Sequence, residues 1–170
     1  PAQGATNSLG ANKALIIDTT VPTMAITATD GTSTVSSGST TNDAALTVTF
    51  TSSETGTNFA SSDITVSGGT LGTLSGSGTT YTATFTPSAD GAATIDVAAS
   101  TFTDAAGNNN TAATQYAWTY DGTAPTASLA YTISSSAVSN VKQNDVVTLT
   151  ATFNEDIADS PVMQISGSGV

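Results

Sequence analysis

The chain contains no cysteine, no histidine and no arginine, and its only cations are Lys13 and Lys142. Without cysteine there is no disulfide framework and no thiolate site. Without histidine the usual general base and the usual transition-metal ligand are both gone. Two cations against 13 acids, a net charge of -11, exclude the basic stripe that a nucleic-acid partner requires, and an anionic membrane surface would repel the chain for the same reason. No run of 18 apolar residues is present, so no membrane insertion is expected of this segment. There is no glycine-rich phosphate loop and no serine paired with a base, so neither enzyme activity nor a small-molecule substrate is expected. The chain opens on Pro1 rather than Met, as expected of an excised or processed segment.

What is present is Thr, Ser, Ala and Gly around an apolar fraction of 38%. Eleven of the 13 acids are Asp, a short side chain suited to turns, so the acids are expected in loops. The stretch "IDTTVPT" (Ile17 to Thr23) returns as "YDGTAPT" (Tyr120 to Thr126), an offset of 103 residues. "TVTF" at Thr47 to Phe50 returns as "TATF" at Thr150 to Phe153 at the same offset, and Gly4 and Asn7 pair likewise with Gly107 and Asn110. Separated segments in one register point to a tandem repeat. The repeat divides the chain into 1–20, the C-terminal strand and linker of a preceding repeat; 21–123, one complete repeat; and 124–170, the N-terminal part of a following repeat. A unit of about 100 residues can hold its own core.

Period-2 alternation recurs along the repeat and helical periodicity is nearly absent. The pattern predicts strands at Met24 to Thr29, Ala45 to Phe50 and Asp63 to Ser67, and over "YTATFTP", "ATIDVAA" and "QYAWTYD". Leu46, Val48, Phe50, Ile64, Val66, Ile95 and Val97 are expected inward and Asp96 outward. Gly, Ser, Asn and Asp clusters separate the runs, as turns require. The fold class expected is all-β: tandem immunoglobulin-like antiparallel β-sandwich repeats. Trp118 is read as core packing, with carbohydrate stacking as the alternative. "NNT" at Asn109 to Thr111 is a formal glycosylation sequon, read as a polar loop.

The run from Phe50 to Asn108 closely resembles the bacterial Ig-like repeats of giant calcium-dependent surface adhesins of the RTX, type I-secreted kind. The acidic loop after "TVTF", the strand "SDITVSGGTL", the turn "TPSADG" and the loop "FTDAAGN" carry the likeness, and "TFNEDIADSPVMQISGSG" (Thr152 to Gly169) continues it. The resemblance implies an extracellular stalk on a bacterial cell surface, built by neighbouring repeats of the same chain, with Ca²⁺ bound at some inter-repeat junctions.

Sandwich topology places the acids independently of that resemblance. The linker before the first strand, the B–C loop and the F–G loop share one pole, which collects Asp18, Glu54 and Asp104. The opposite pole collects Asp30 and Asp90, beside the outgoing linker with Asp121, which is expected to face Glu155 and Asp156 of the next repeat. Two carboxylates about 5 Å apart repel by about 3 kcal/mol at an effective dielectric of about 20. A hard cation that takes six to eight oxygens, Ca²⁺, would relieve this, with Asn108 and backbone carbonyls completing the shell. Asp43, Asp63, Asp96, Asp145 and Asp159 are read as non-ligands. Pro22 and Pro125 fix φ and stiffen each joint. Three functions follow: a Ca²⁺-stiffened adhesin-like stalk, a self-assembling filament or sheath of many copies, and a carbohydrate- or receptor-binding module.

Overall fold

The alternating apolar runs can bury one face each, and a computed structural model, which describes residues 17–133 and 145–157, shows them doing so in two facing sheets. The first sheet runs β2 (Thr34–Val35), β1 (Met24–Thr29), β4 (Leu46–Ser52), β8 (Thr80–Pro87) and β6 (Gly69–Leu71), with β7 (Ser75–Ser77) on the same edge of β8. The second runs β3 (Thr40–Thr41), β10 (Tyr116–Tyr120), β9 (Gly91–Val97) and β5 (Ile64–Ser67). This is the A-B-E-D and C-F-G order of an immunoglobulin-like sandwich. The expected strands all form, the second and third each beginning one residue later than the pattern predicts, at Leu46 and Ile64. The short β2, β3 and β7 were not foreseen, and the strand read over "SDITVSGGTL" is divided at Gly68 into β5 and β6, one in each sheet. Two or three residues carry no readable alternation, and pairing with a longer neighbour decides them.

The core is the inward set of four strands: Leu46, Val48 and Phe50 on β4, Phe85 on β8, Ile95 and Val97 on β9, Tyr116 and Trp118 on β10. Ile64 and Val66 pack against it half-buried. Trp118 is 2% exposed and meets Phe85 edge to face, ring centroids 4.7 Å apart. The carbohydrate-stacking alternative for Trp118 is thereby overturned: both sheets cover the indole. Two phenylalanines enter from loops, outside any strand pattern. Phe59 lies against Phe50, Tyr81 and Phe102 at 5.9, 5.1 and 5.2 Å. Such aromatic pairs add about 0.5–1.5 kcal/mol each beyond the area they bury.

Between β5 and β6 the chain changes sheets at Gly68, whose φ of 75° and close approach leave no room for a side chain: a Cβ there would fall on the Ala92 carbonyl. A short 3-10 turn at Ser61–Asp63 precedes β5, and the Asp63 carboxylate accepts from the Ala60 N–H at 2.8 Å.

The chain forms two compact units, 1–122 and 123–170. In the second, β11 (Ala127–Ile133) pairs antiparallel with β12 (Val147–Phe153). β11 keeps the 103-residue offset from β1, but the pairing is shifted. Phe153 faces Ala127, whereas Phe50 faces Ile26 and it is Ser52 that faces Met24. The ungapped offset therefore fails at the second strand by two residues, and by pairing Glu155 is the counterpart of Glu54. A slip of two keeps every side chain on its own face, so the apolar pattern tolerates it.

Phe85→Ala should cost about 3–5 kcal/mol in urea unfolding of the first unit, as for a buried aromatic truncated in a tight core. Leu129→Ala, at a position 66% exposed, should leave that transition within about 0.5 kcal/mol of the parent chain.

Candidate metal centre

Pro22 is fully buried, and the incoming linker is fastened around it. The Thr111 N–H donates to the Pro22 carbonyl at 2.9 Å and the Ser53 N–H to the Thr23 carbonyl at 2.9 Å, while the Thr23 N–H donates to Ser53 Oγ at 2.9 Å. Just upstream, Asp18 Oδ1 accepts from the Thr20 N–H at 3.0 Å, forming an Asx turn. The Asn108 side-chain amide donates to the Asp18 carbonyl at 3.2 Å. The linker is thus held by the β4–β5 loop on one side and the β9–β10 loop on the other.

The β9–β10 loop is organised by Asn110, 2% exposed. Its Oδ1 accepts from the Thr101 and Phe102 N–H groups at 2.9 and 3.0 Å, and its Nδ2 donates to the Ala98 and Thr111 carbonyls at 2.8 Å each. Every hydrogen-bonding capacity of the buried amide group is used in fixing backbone, which is what makes its burial tolerable. Within this frame Asp104 Oδ1 accepts from the Gly107 and Asn108 N–H groups at 2.7 and 2.9 Å, and Oδ2 accepts from Asn108 Nδ2 at 2.8 Å. Gly107 sits at a φ of 93°, which the turn around the Asp104 carboxylate requires.

From these three segments, carboxylate oxygens of Asp18, Glu54 and Asp104 lie within 4.8 Å of one another. Their states differ. Asp104 is held below the usual aspartate range, first by the Asn108 side-chain bond and then, against its own burial, by the backbone N–H groups of the turn. Glu54 is pushed up, first by desolvation and then by the Asp104 and Asp18 carboxylates. Glu54 Oε1 is buried with no hydrogen-bond partner. An all-oxygen set with one orphaned buried oxygen fits a hard cation such as Ca²⁺ and no soft one. Asp18, Glu54 and Asp104 would hold the ion, with backbone carbonyls and water supplying the remaining ligands.

The other acids behave differently. Asp30, expected at a second convergence, is spent in its own turn: Oδ1 accepts from the Thr32 N–H and hydroxyl at 2.7 and 2.8 Å and from the Ser33 N–H at 2.6 Å. Those bonds, that from Ser33 foremost, hold its carboxyl below the usual range. Asp90 Oδ1 accepts from the Gly122 N–H at 2.7 Å and so pins the outgoing linker beside Asp121. Among the described residues no second group of three acids comes together, so the expected pole of Asp30, Asp90 and Asp121 does not form as a cluster. Asn108, expected as an oxygen ligand, acts here through its N–H donors, bridging Asp104 and the linker.

In the second unit Glu155 Oε1 is buried without a hydrogen-bond partner, matching Glu54, and Asp156 is exposed. Asp43 and Asp96 make local bonds to Thr41 and Gln115. Asp145 is exposed, and Asp159 lies outside the described residues. Sequence reasoning missed Asn110 as the organiser of the site, although its recurrence as Asn7 at the repeat offset was the available signal.

Two outcomes follow. Asn110→Ala would strand two N–H groups and the Thr111 carbonyl, the Ala98 carbonyl keeping the Thr101 hydroxyl, and should destabilise the first unit by about 2–4 kcal/mol in thermal or urea unfolding. Glu54→Gln should raise the melting temperature in chelator at neutral pH. The folded-state pKa of Glu54 is raised, so its ionised form weakens the fold. The gain should therefore appear as pH rises through that pKa and vanish below the usual glutamate range.

The model of the bacterial Ig-like domain matches residues 18–120, a span equal to the repeat period that begins at the first carboxylate of the cluster. Neither a curated protein nor a solved structure matches the chain. With more than half its length matched, and with a sandwich in the strand order that fold requires, the chain belongs to the bacterial Ig-like domain family.

Proposed function

We propose that this chain is a structural segment of an extracellular, adhesin-like stalk on a bacterial cell surface, in which Ca²⁺ fastens each inter-repeat linker to the repeat that follows it. The observation that carries the reading is the meeting, within 4.8 Å, of one carboxylate from the linker and one from each of two loops of the sandwich, with Glu54 Oε1 left unpaired. Asp18 belongs to the segment leading into the sandwich, so an ion bound jointly by Asp18, Glu54 and Asp104 would restrain that segment against the domain. Family membership supports a surface module of a typically non-enzymatic kind. Among the described residues no helix is long and apolar enough to cross a membrane.

The division of labour follows from the chemistry. Asp104 is fixed by three donors and presents a settled negative charge. Glu54 supplies a buried oxygen without a hydrogen-bond partner, which a cation would satisfy. Asp18 is held in a local turn, so the linker is partly ordered before the ion arrives. Hydrogen bonds would thus set the linker's path, and the ion would lock it.

Calorimetric titration of the full chain with CaCl₂ should show saturable binding with a dissociation constant on the order of 10⁻⁴ M, as for extracellular calcium modules, and no comparable heat with MgCl₂. Asp104→Asn and Glu54→Gln should each abolish it. Small-angle scattering of the full chain should show a larger, better-defined maximum dimension in calcium than in chelator. Absent heat, or an unchanged profile, would count against the calcium joint.

A further inference from the structure

The edge of the first sheet is irregular beside β8. Leu71 on β6 faces Phe85 and Ser75 on β7 faces Thr82, so four steps along the edge are matched by three on β8. The extra residue makes a β-bulge, which re-aims the side chains around it. Strict alternation would put Leu71 and Leu74 on opposite faces. With the bulge both pack half-buried against the core, while Thr73 between them is exposed. The bulged edge and residues 59–61 enclose a groove of about 610 Å³. Its floor is Leu71, Leu74 and the edge-to-face pair of Phe59 and Tyr81, and its rim carries the exposed Ser61 and Thr73.

Two properties of the groove define what it can hold. No charged residue lines it, and Asp63, close by in sequence, is turned onto the Ala60 N–H at 2.8 Å. The hydroxyls of Tyr81, Ser61 and Thr73 make no hydrogen bond among the described residues. An ionic ligand would find no counter-charge here, and a chain of net charge -11 would repel an anion. A wholly apolar ligand would cover three hydroxyls and leave them without partners, which is costly. A ligand polar on every side would lose its own hydration against the leucines and the Tyr81 ring. What remains is a neutral molecule with an apolar face and a hydroxyl rim. We propose that the groove is a binding site for a short neutral glycan. A sugar ring would lay its C–H face on Tyr81 and the two leucines and exchange hydrogen bonds with the three rim hydroxyls, each of which can donate and accept. The groove's volume falls in the range of small-molecule sites, about 300–1,000 Å³, which pair an apolar lining with a few placed polar groups. The site lies apart from Trp118, which the two sheets cover, and none of the acids lines it, so the inference does not depend on the cation site.

The test titrates the ¹⁵N-labelled full chain with maltose, cellobiose, lactose and diacetylchitobiose while backbone amide shifts are followed. At least one sugar should give saturable shifts confined to residues 59–61 and 71–81, equally in calcium and in chelator. A capped, uncharged peptide with one phenylalanine should give none there. Tyr81→Phe keeps the ring and removes one hydroxyl, and should weaken binding by about five- to tenfold, as for one lost hydrogen bond. Thr73→Glu, at an exposed rim position, should abolish binding and leave the rest of the amide spectrum unchanged. No shift with any of the four sugars, shifts centred elsewhere, undiminished binding by the Thr73→Glu variant, or saturable binding of the peptide in place of the sugars would overturn the proposal.

Discussion

The edge-to-face contact between Phe59 and Phe102 is the constraint on which the acidic pole depends. Neither residue lies in a strand. One follows β4 and the other follows β9, and each reaches into a core that the strands alone do not fill. By meeting there they bind the β4–β5 loop to the β9–β10 loop at the pole where the linker arrives. The Thr57 N–H donates to the Thr103 carbonyl at 2.9 Å and the Thr103 N–H to Asn58 Oδ1 at 2.9 Å, so polar bonds follow the same seam. Glu54 and Asp104 are carried to one place by apolar burial, with their charges opposing the approach.

That ordering explains why the three carboxylates are unequal. Hydrophobic burial acts on the loops as bodies and is indifferent to what the loop tips carry. The fold therefore brings like charges together and must satisfy them locally where it can. Asp104 is satisfied, with three donors from its own turn. Asp18 has one donor and faces solvent. Glu54 is crowded by both and lacks a donor for its buried oxygen. The cluster is organised by its own hydrogen bonds, and the oxygen left without a donor is on Glu54.

The two ends of the complete repeat use different chemistry on the same kind of linker. At the incoming end, buried Pro22, two backbone bonds and the Asn108 amide hold the chain against the sandwich. At the outgoing end the Asp90 carboxylate accepts the Gly122 N–H and the Thr41 carbonyl accepts the Asp121 N–H. The incoming end is where the acids gather. The equivalence of Glu155 with Glu54, visible only in the strand pairing, shows the same orphaned oxygen recurring in the second unit.

Much of the fold was legible because its causes are local. Period-2 alternation marks strands whether or not their partners are known, and the recurrence of Asp-x-Thr-x-Pro-Thr gives the 103-residue period. Grouping Asp18, Glu54 and Asp104 at one pole needed only the strand order of a sandwich. Asp30 and Asp104 read alike, each an Asp that accepts three bonds within its own turn, but only Asp104 has two further carboxylates beside it. The sequence by itself determined which residues face inward and that, without cysteine or histidine, the acids offer oxygen as ligand. Tertiary structure alone decided which carboxylates meet, which is left unpaired, and by how many residues the second hairpin slips. Those outcomes turn on distances between segments far apart in the chain, and periodicity along one strand carries no information about them.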